Sequence, residues 1–238
     1  AAEQLDLKTE YNNLNLVDKW ILSRWDQAKA NVIKHYANYR FDFIANYLYE
    51  FVWNEFCDWY LELAKPTLND EIHSKVTRKT LKFVLGEILQ VLHPIMPFIT
   101  EELWEKIPKA TTSLLINHSF PAVNDLVNLD LENTVKELQQ IILGVRNIRG
   151  EMNISPNKVL PVLIVNANPK NQQLINENAN LLKSLAKLSD ITFLSANDPQ
   201  PASATALAGE MQILIPMQGL IDKDAELARL TKELDKLN

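Results

Sequence analysis

Residues 48–65 read LYEFVWNEFCDWYLELAK. Glu50, Asn54, Asp58 and Glu62 recur every four residues, with Glu55 beside them, and nearly everything else in the stretch is aromatic or aliphatic. A four-residue polar repeat is one narrow edge of a helix, so the rest of the circumference must be buried by other helices. Asp42 reads as the cap of this helix and Pro66 as its stop, which places it over about 42–65. Trp53 lies off the polar stripe and reads as inward-facing. A helix of this kind is the central staff of an antiparallel helical bundle.

The neighbouring residues supply the partners. Asn15 followed by Asp18 predicts a helix start, and Val17, Trp20, Ile21, Trp25, Ala28 and Val32 continue at helical spacing toward Tyr36. A third helix is predicted over 70–92, with Val76, Phe83, Val84, Ile88 and Val91 inward. Lys75, Arg78, Lys79 and Lys82 share another of its faces. Pro94 and Pro97 end that helix and open a short fourth one, TEELWEK, which stops at Pro108. A fifth helix is expected over 130–152, with Leu131, Val135, Leu138, Ile142, Val145 and Met152 on one face. Only 5 of 238 residues are glycine, which agrees with a mainly helical chain.

Beyond about 158 the pattern changes. LPVLIVNA, DITFLS and MQILIPM read as strands round a helix in KNQQLINENANLLKSLAKLS. The fold class is therefore mainly α: a helical bundle, then a small α+β subdomain, then a C-terminal amphipathic helix. Leu220, Leu227, Leu230, Leu234 and Leu237 follow spacings of an incomplete coiled coil. The expected division is a tail at 1–14, the bundle at 15–125, a connecting helix at 126–158, the α/β part at 159–219 and the C-terminal helix at 220–238.

Catalytic patterns are scarce. None of His35, His73, His93 and His118 has a glutamate three residues before it, so no inward Glu-x-x-His pair suggests a metal, and no metal site is expected. No HExxH, CxxC or phosphate-loop pattern occurs. Cys57 is the single cysteine, which excludes an internal disulfide and fits a reducing, cytosolic setting. No apolar run is long enough for a bilayer, and the start AAEQLDLKTE lacks the form of a leader. The net charge of −6 argues against nucleic acid as a partner of the whole surface, so only local patches could bind it. The cations of the third helix are the best such patch. Arg146, Arg149 and Lys158 make a second group, and Arg40, Lys106 and Trp104 stand near helix junctions. Each also reads as ordinary solvated charge or, for Trp104, as core.

Several segments together resemble a known family. DKWILSR (18–24), NYRFD (38–42), LYEFVWNEFCDWYLELAKP (48–66), HPIMPFITEELW (93–104), VRNIRGEMNISP (145–156) and LIPMQGLID (214–222) resemble the bacterial valyl-tRNA synthetases, a class Ia family. The HPIMPFITE segment is shared by several class I synthetases, whereas WNEFCDWYLELAKP and RNIRGEMNI are specific. The resemblance implies an anticodon-binding bundle, a small α/β part and the start of a coiled-coil arm. It implies tRNA for valine as partner, together with the family's catalytic domain. The family's ATP-binding HIGH and KMSKS motifs are not in this sequence, so no cofactor is expected within it, ATP belonging to the catalytic domain. The stretch is accordingly expected to bind tRNA through Arg40, Lys75, Arg78, Lys79, Lys82, Trp104, Lys106, Arg146, Arg149 and Lys158 without charging it. It is expected to be a monomer, pairing between copies through the C-terminal helix being the alternative. A tRNA-binding domain of another class Ia synthetase, a structural module without RNA affinity and a helical metalloenzyme are the rival readings.

Overall fold

A computed structural model describes residues 5–70, 74–108, 113–195 and 198–217. The chain divides into two compact units, Ala1–Val135 and Lys136–Asn238.

The first unit is the helical bundle. Near its start Leu5 and Leu14 are buried, a short helix α1 (Leu7–Glu10) is capped by Asp6, and Glu10 reaches Lys79. Helix α2 (Leu16–Ala37) starts at Asn15, whose side chain accepts from the Asp18 N–H at 2.8 Å. All the apolar positions expected to face inward on α2, from Val17 to Val32, are buried. The chain reverses at Asn38–Arg40 and enters the central helix over 41–68. That helix comprises α3 (Phe41–Tyr49), a π-helical segment (Glu50–Tyr60) and α4 (Leu61–Leu68).

The wider π turn explains the aromatic spacing. Phe51, Phe56 and Tyr60 are buried at intervals of five and four, and the expected stripe of Glu50, Asn54, Asp58 and Glu62 keeps to the outer side. Three expectations fail here. Asp42 is inside the first turn and not at the cap, where it pairs with Arg40. The helix passes through Pro66 and ends two residues later. Trp53 is 57% exposed and stacks on Tyr49 with ring centroids 6.4 Å apart, because the π segment turns it out of the bundle.

Helix α5 (Ser74–Leu92) buries Thr77, Thr80, Val84, Ile88 and Val91, while Val76 and Phe83 are only half-buried. Helix α6 (Pro97–Lys106) begins with its proline at the first helical position and buries only Thr100 and Trp104. After α6, Leu115 packs against Leu89 and Trp104.

Helix α7 (Leu129–Glu151) supplies residues to both units. Leu138, Ile141, Ile142, Val145 and Ile148 are buried, but Met152 is exposed past its end. The second unit carries a four-stranded sheet in the order β2-β1-β4-β3. Its strands are β1 (Leu160–Val165), β2 (Leu188–Leu194), β3 (Ser203–Ala208) and β4 (Met211–Pro216). β1 and β2 are parallel, which requires the crossover through α8 (Pro169–Glu177) and α9 (Ala179–Ala186). β4 runs antiparallel to both β1 and β3. The single helix expected in the crossover is broken at Asn178, whose side chain bonds back to the Leu174 carbonyl. β3 is an additional strand: SATALA is too short in apolar bulk to signal one, yet it pairs along its whole length with β4. The heptad leucines from Leu220 onward lie outside the described residues.

Candidate nucleic-acid interface

The cationic face of α5 is placed by a buried polar cluster behind it. Asp18 is buried and accepts from Tyr60 Oη at 2.7 Å, Thr77 Oγ1 at 2.7 Å and Asn15 Nδ2 at 2.8 Å. The cluster joins α2, the π segment and α5, and among the described residues no cation is hydrogen-bonded to it. Burial pushes the Asp18 carboxyl above the usual carboxylate range, and the three hydrogen bonds only partly offset this. Burial and the neighbouring Asp18 charge push the Tyr60 hydroxyl up.

A second cluster carries charge into the core. Lys29 has no exposed side-chain surface and contacts Glu87 at 2.8 Å, Asp26 at 3.2 Å and the Ala122 carbonyl at 2.8 Å. Trp25 Nε1 donates to the same Glu87 oxygen, and Asp26 accepts the backbone N–H groups of Asn124 and Leu126. Burial raises the Glu87 carboxyl against the pull of Lys29. Arg24 grips Glu55 through both oxygens and also reaches Glu132 at 3.0 Å, so its guanidinium is held more firmly protonated by Glu55 first. These pairs tie α2 to its neighbours and set the rotation of α5. With Thr77, Thr80 and Val84 inward, Lys75 and Arg78 are left exposed and Lys82 half-buried on the other side.

The remaining candidates separate into distinct situations. Lys79 is drawn across to Glu10 at 2.7 Å, so it fastens the opening segment to the bundle. Arg40 lies over the Phe43 ring at 4.0 Å and is paired with exposed Asp42, whose carboxyl it holds down to about 2. Lys106 is exposed and paired with Glu102 at 2.7 Å. Arg146 and Lys158 are exposed in the second unit.

Two candidates are buried. Trp104 is buried and gives its indole N–H to the Ser113 carbonyl at 3.1 Å, so it has no face for a base. Arg149 is only 7% exposed and donates to the carbonyls of Ser155, Ala186 and Lys187, fastening the end of α7 to the α9–β2 turn. Lys187 is in the left-handed region there, which turns its carbonyl toward the arginine. A short helix-end arginine carries no sequence signal that separates this role from a solvated one.

Sequence reasoning missed the aromatic end of the bundle. Tyr39, Phe41, Ile95, Met96 and Phe98 are exposed where α2 meets α3 and α5 meets α6. Among the described residues no group of three or more His, Cys, Asp or Glu could hold a metal, and no helix is long and apolar enough to cross a membrane. Burial pushes the Cys57 thiol up, away from a reactive thiolate.

On α5 the arrangement leaves Lys75 and Arg78 exposed, with Lys82 half-buried beside them. The sequence model of the family described as the anticodon-binding domain of tRNA ligases matches residues 18–164. The chain belongs to that family. Its anticodon-binding-domain match begins at Asp18, the buried carboxylate of α2, and ends at Ile164 in β1. Valine–tRNA ligases of Legionella pneumophila, strains Lens and Paris, are each 45% identical to it over 239 residues, 97% of this chain. The chain spans 26% of the length of those relatives.

Proposed function

We propose that this anticodon-binding domain is the tRNA-holding part of a valine–tRNA ligase and receives the anticodon region of tRNA for valine. The observation that carries this reading is the family match over 18–164 joined to 45% identity with valine–tRNA ligases across 97% of the chain. Lys75 and Arg78 supply the phosphate contacts, Lys82 assists at its margin, and in the second unit Arg146 and Lys158 are further exposed cations. Unstacked anticodon bases are read by hydrogen bonds and stacking on a rigid surface, which a helical bundle braced by buried polar clusters provides. Activation of valine by ATP and its transfer to tRNA belong to polypeptide of the kind that the relatives carry outside the matched quarter, so these residues alone charge no tRNA. The setting is the cytoplasm, where the substrate tRNA is found.

A second reading, a helical scaffold without RNA affinity, draws on the net charge of −6. A gel-shift titration separates the two. The chain is mixed with a valine tRNA transcript and, separately, with the same transcript carrying an altered anticodon. Tighter binding to the unaltered transcript supports anticodon reading. Equal binding reduces the role to backbone holding, and no shift with either favours the scaffold.

A further inference from the structure

The second unit carries a groove of about 330 Å³ between α7 and the edge strand β3. Gln140, Leu143, Asn147 and Glu151 follow spacings of three and four, so a single face of α7 forms one wall. Thr205, Ala206 and Leu207 of β3 form the other. Gly144 brings the walls together. A Cβ there would come within 2.7 Å of Ile213 Cδ1 and 3.4 Å of Ala206 Cβ, so glycine lets the helix lie close on the sheet. At the hairpin end, Gln140 Oε1 lies 3.6 Å from where a Cβ on Gly209 would stand, which narrows the groove there. Leu143 and Leu207 remain 43% and 71% exposed.

Three kinds of group meet in this groove. Leu143 and Leu207 offer open apolar surface. Gln140 and Asn147 each offer an amide donor and acceptor, and Glu151 offers acceptors alone. β3 is paired by β4 on one side, and its other edge has no strand beside it among the described residues. The outward N–H and C=O groups of that edge therefore border the groove. Lys136 and Arg146 are exposed on the same helix, Lys136 one turn before Gln140 and Arg146 next to Asn147. An added polypeptide strand would need apolar pockets for its alternate side chains, and the α7 wall is largely amide and carboxylate. A flat heteroaromatic ring needs what is present: apolar surface against its face, and donors and acceptors round its rim.

We propose that the groove between α7 and the open edge of β3 is a subsite for one unstacked nucleobase of bound RNA, a base that carries an exocyclic amine. This rests on the reading of the chain as the tRNA-holding part of a valine–tRNA ligase. The ring lies against Leu143 and Leu207. Its rim exchanges hydrogen bonds with the edge of β3 and with the Gln140 and Asn147 amides, and Glu151 accepts from the amine. Lys136 and Arg146 meet the phosphates on either side. Adenine and cytosine satisfy this pattern. Uracil has no amine to give and leaves Glu151 facing a carbonyl oxygen. The second unit then contributes preference among bases, while α5 contributes phosphate contacts that are blind to sequence.

Single-stranded RNA hexamers test this on the whole chain. Labelled hexamers of A, C and U are titrated by anisotropy at one salt concentration, with a valine tRNA transcript alongside. The A or C hexamer should bind on the order of tenfold more tightly than the U hexamer. Asn147→Ala and, separately, Leu207→Asp should remove that preference, and since both side chains are exposed the melts should not change. Lys75→Glu with Arg78→Glu should weaken binding of all three hexamers alike and keep the preference. In the unaltered chain, the amide resonances of Thr205, Ala206 and Leu207 should shift with the A or C hexamer and not with U, a readout that needs no variant to fold. tRNA binding with equal hexamer affinities and unmoved β3 amides overturns the subsite and leaves the RNA reading standing. A preference that survives both variants places base reading elsewhere and overturns it too. No binding of tRNA or of any hexamer is failure of the RNA reading itself, and the subsite falls with it. Shifts of the β3 amides that grow with protein concentration alone assign the edge to a second copy, which also overturns the proposal.

Discussion

Trp53 and Trp25 differ by environment and not by chemistry. Trp53 is stacked on Tyr49 in solvent, so Trp53→Ala should cost no more than about 1 kcal/mol. Trp25 is buried, stacks on Phe51 and donates to Glu87, and Trp25→Ala should cost roughly 3–5 kcal/mol. Urea melts of the two variants side by side check this, and a large loss from Trp53 would contradict the outward turn of the π segment. Arg149→Ala removes one donor from three carbonyls, of which those of Ser155 and Lys187 keep the backbone N–H groups of Lys158 and Leu160, with an expected loss of about 1–3 kcal/mol in the second unit and no change in the salt dependence of RNA binding. A loss confined to RNA affinity would return Arg149 to the interface. Asp18 titrates in the sense opposite to a salt-bridged acid. Its folded value is raised, so the folded chain holds that proton more tightly than the unfolded chain. Its contribution is fully present below the unfolded value of about 3.9 and is lost as pH rises through the folded value. Asp18→Asn should flatten that part of the stability–pH curve, which chemical melts in acidic buffers would show.

At the scale of elements, α5 is the piece on which the proposed RNA contacts rest. Its inward Thr77 meets Asp18, and that contact leaves Lys75 and Arg78 toward solvent. Lys75→Glu with Arg78→Glu should therefore weaken tRNA binding and lower the salt slope by about one unit for each phosphate contact removed. Stability should change by no more than about 0.5 kcal/mol per position, since neither side chain is in the core. A double variant that melts as before and binds tRNA as before would make the face mere solvated surface. The helical periods of α2, α5 and α7 were legible in sequence because a buried stripe must recur at the helical repeat. The π segment was not: spacings of five and four look like noise beside that repeat, which is why Trp53 was placed inward. β3 was not legible either, since its pairing comes from β4 and not from its own side chains.

For the whole molecule, a net charge of −6 opposes the approach of RNA to the face proposed on α5. Salt then has two effects of opposite sign. It screens the long-range repulsion, whose reach is about 30 Å at 0.01 M and about 8 Å at 0.15 M, and it weakens the local phosphate contacts. The plot of log affinity against log salt should be shallow at low salt and steepen above roughly the concentration where the Debye length falls to 10 Å, about 0.1 M. Anisotropy titrations of labelled tRNA across that range test this, and a straight line of constant slope would mean the net charge is not felt at the binding face.

The order of the main helices, the change from helical bundle to α/β unit and the family itself could be read from the sequence, because periodicity, prolines and local motifs act over a few residues at a time. The roles of single charged residues could not. Arg149 and Arg146 sit three apart on one helix, yet one is buried on carbonyls and the other exposed. Lys29 lies in the core only because Glu87 and the Ala122 carbonyl, far along the chain, come to meet it. Whether a charge binds RNA, fastens a core or fills a rim depends on partners distant in sequence, and burial makes that choice only when the chain has folded.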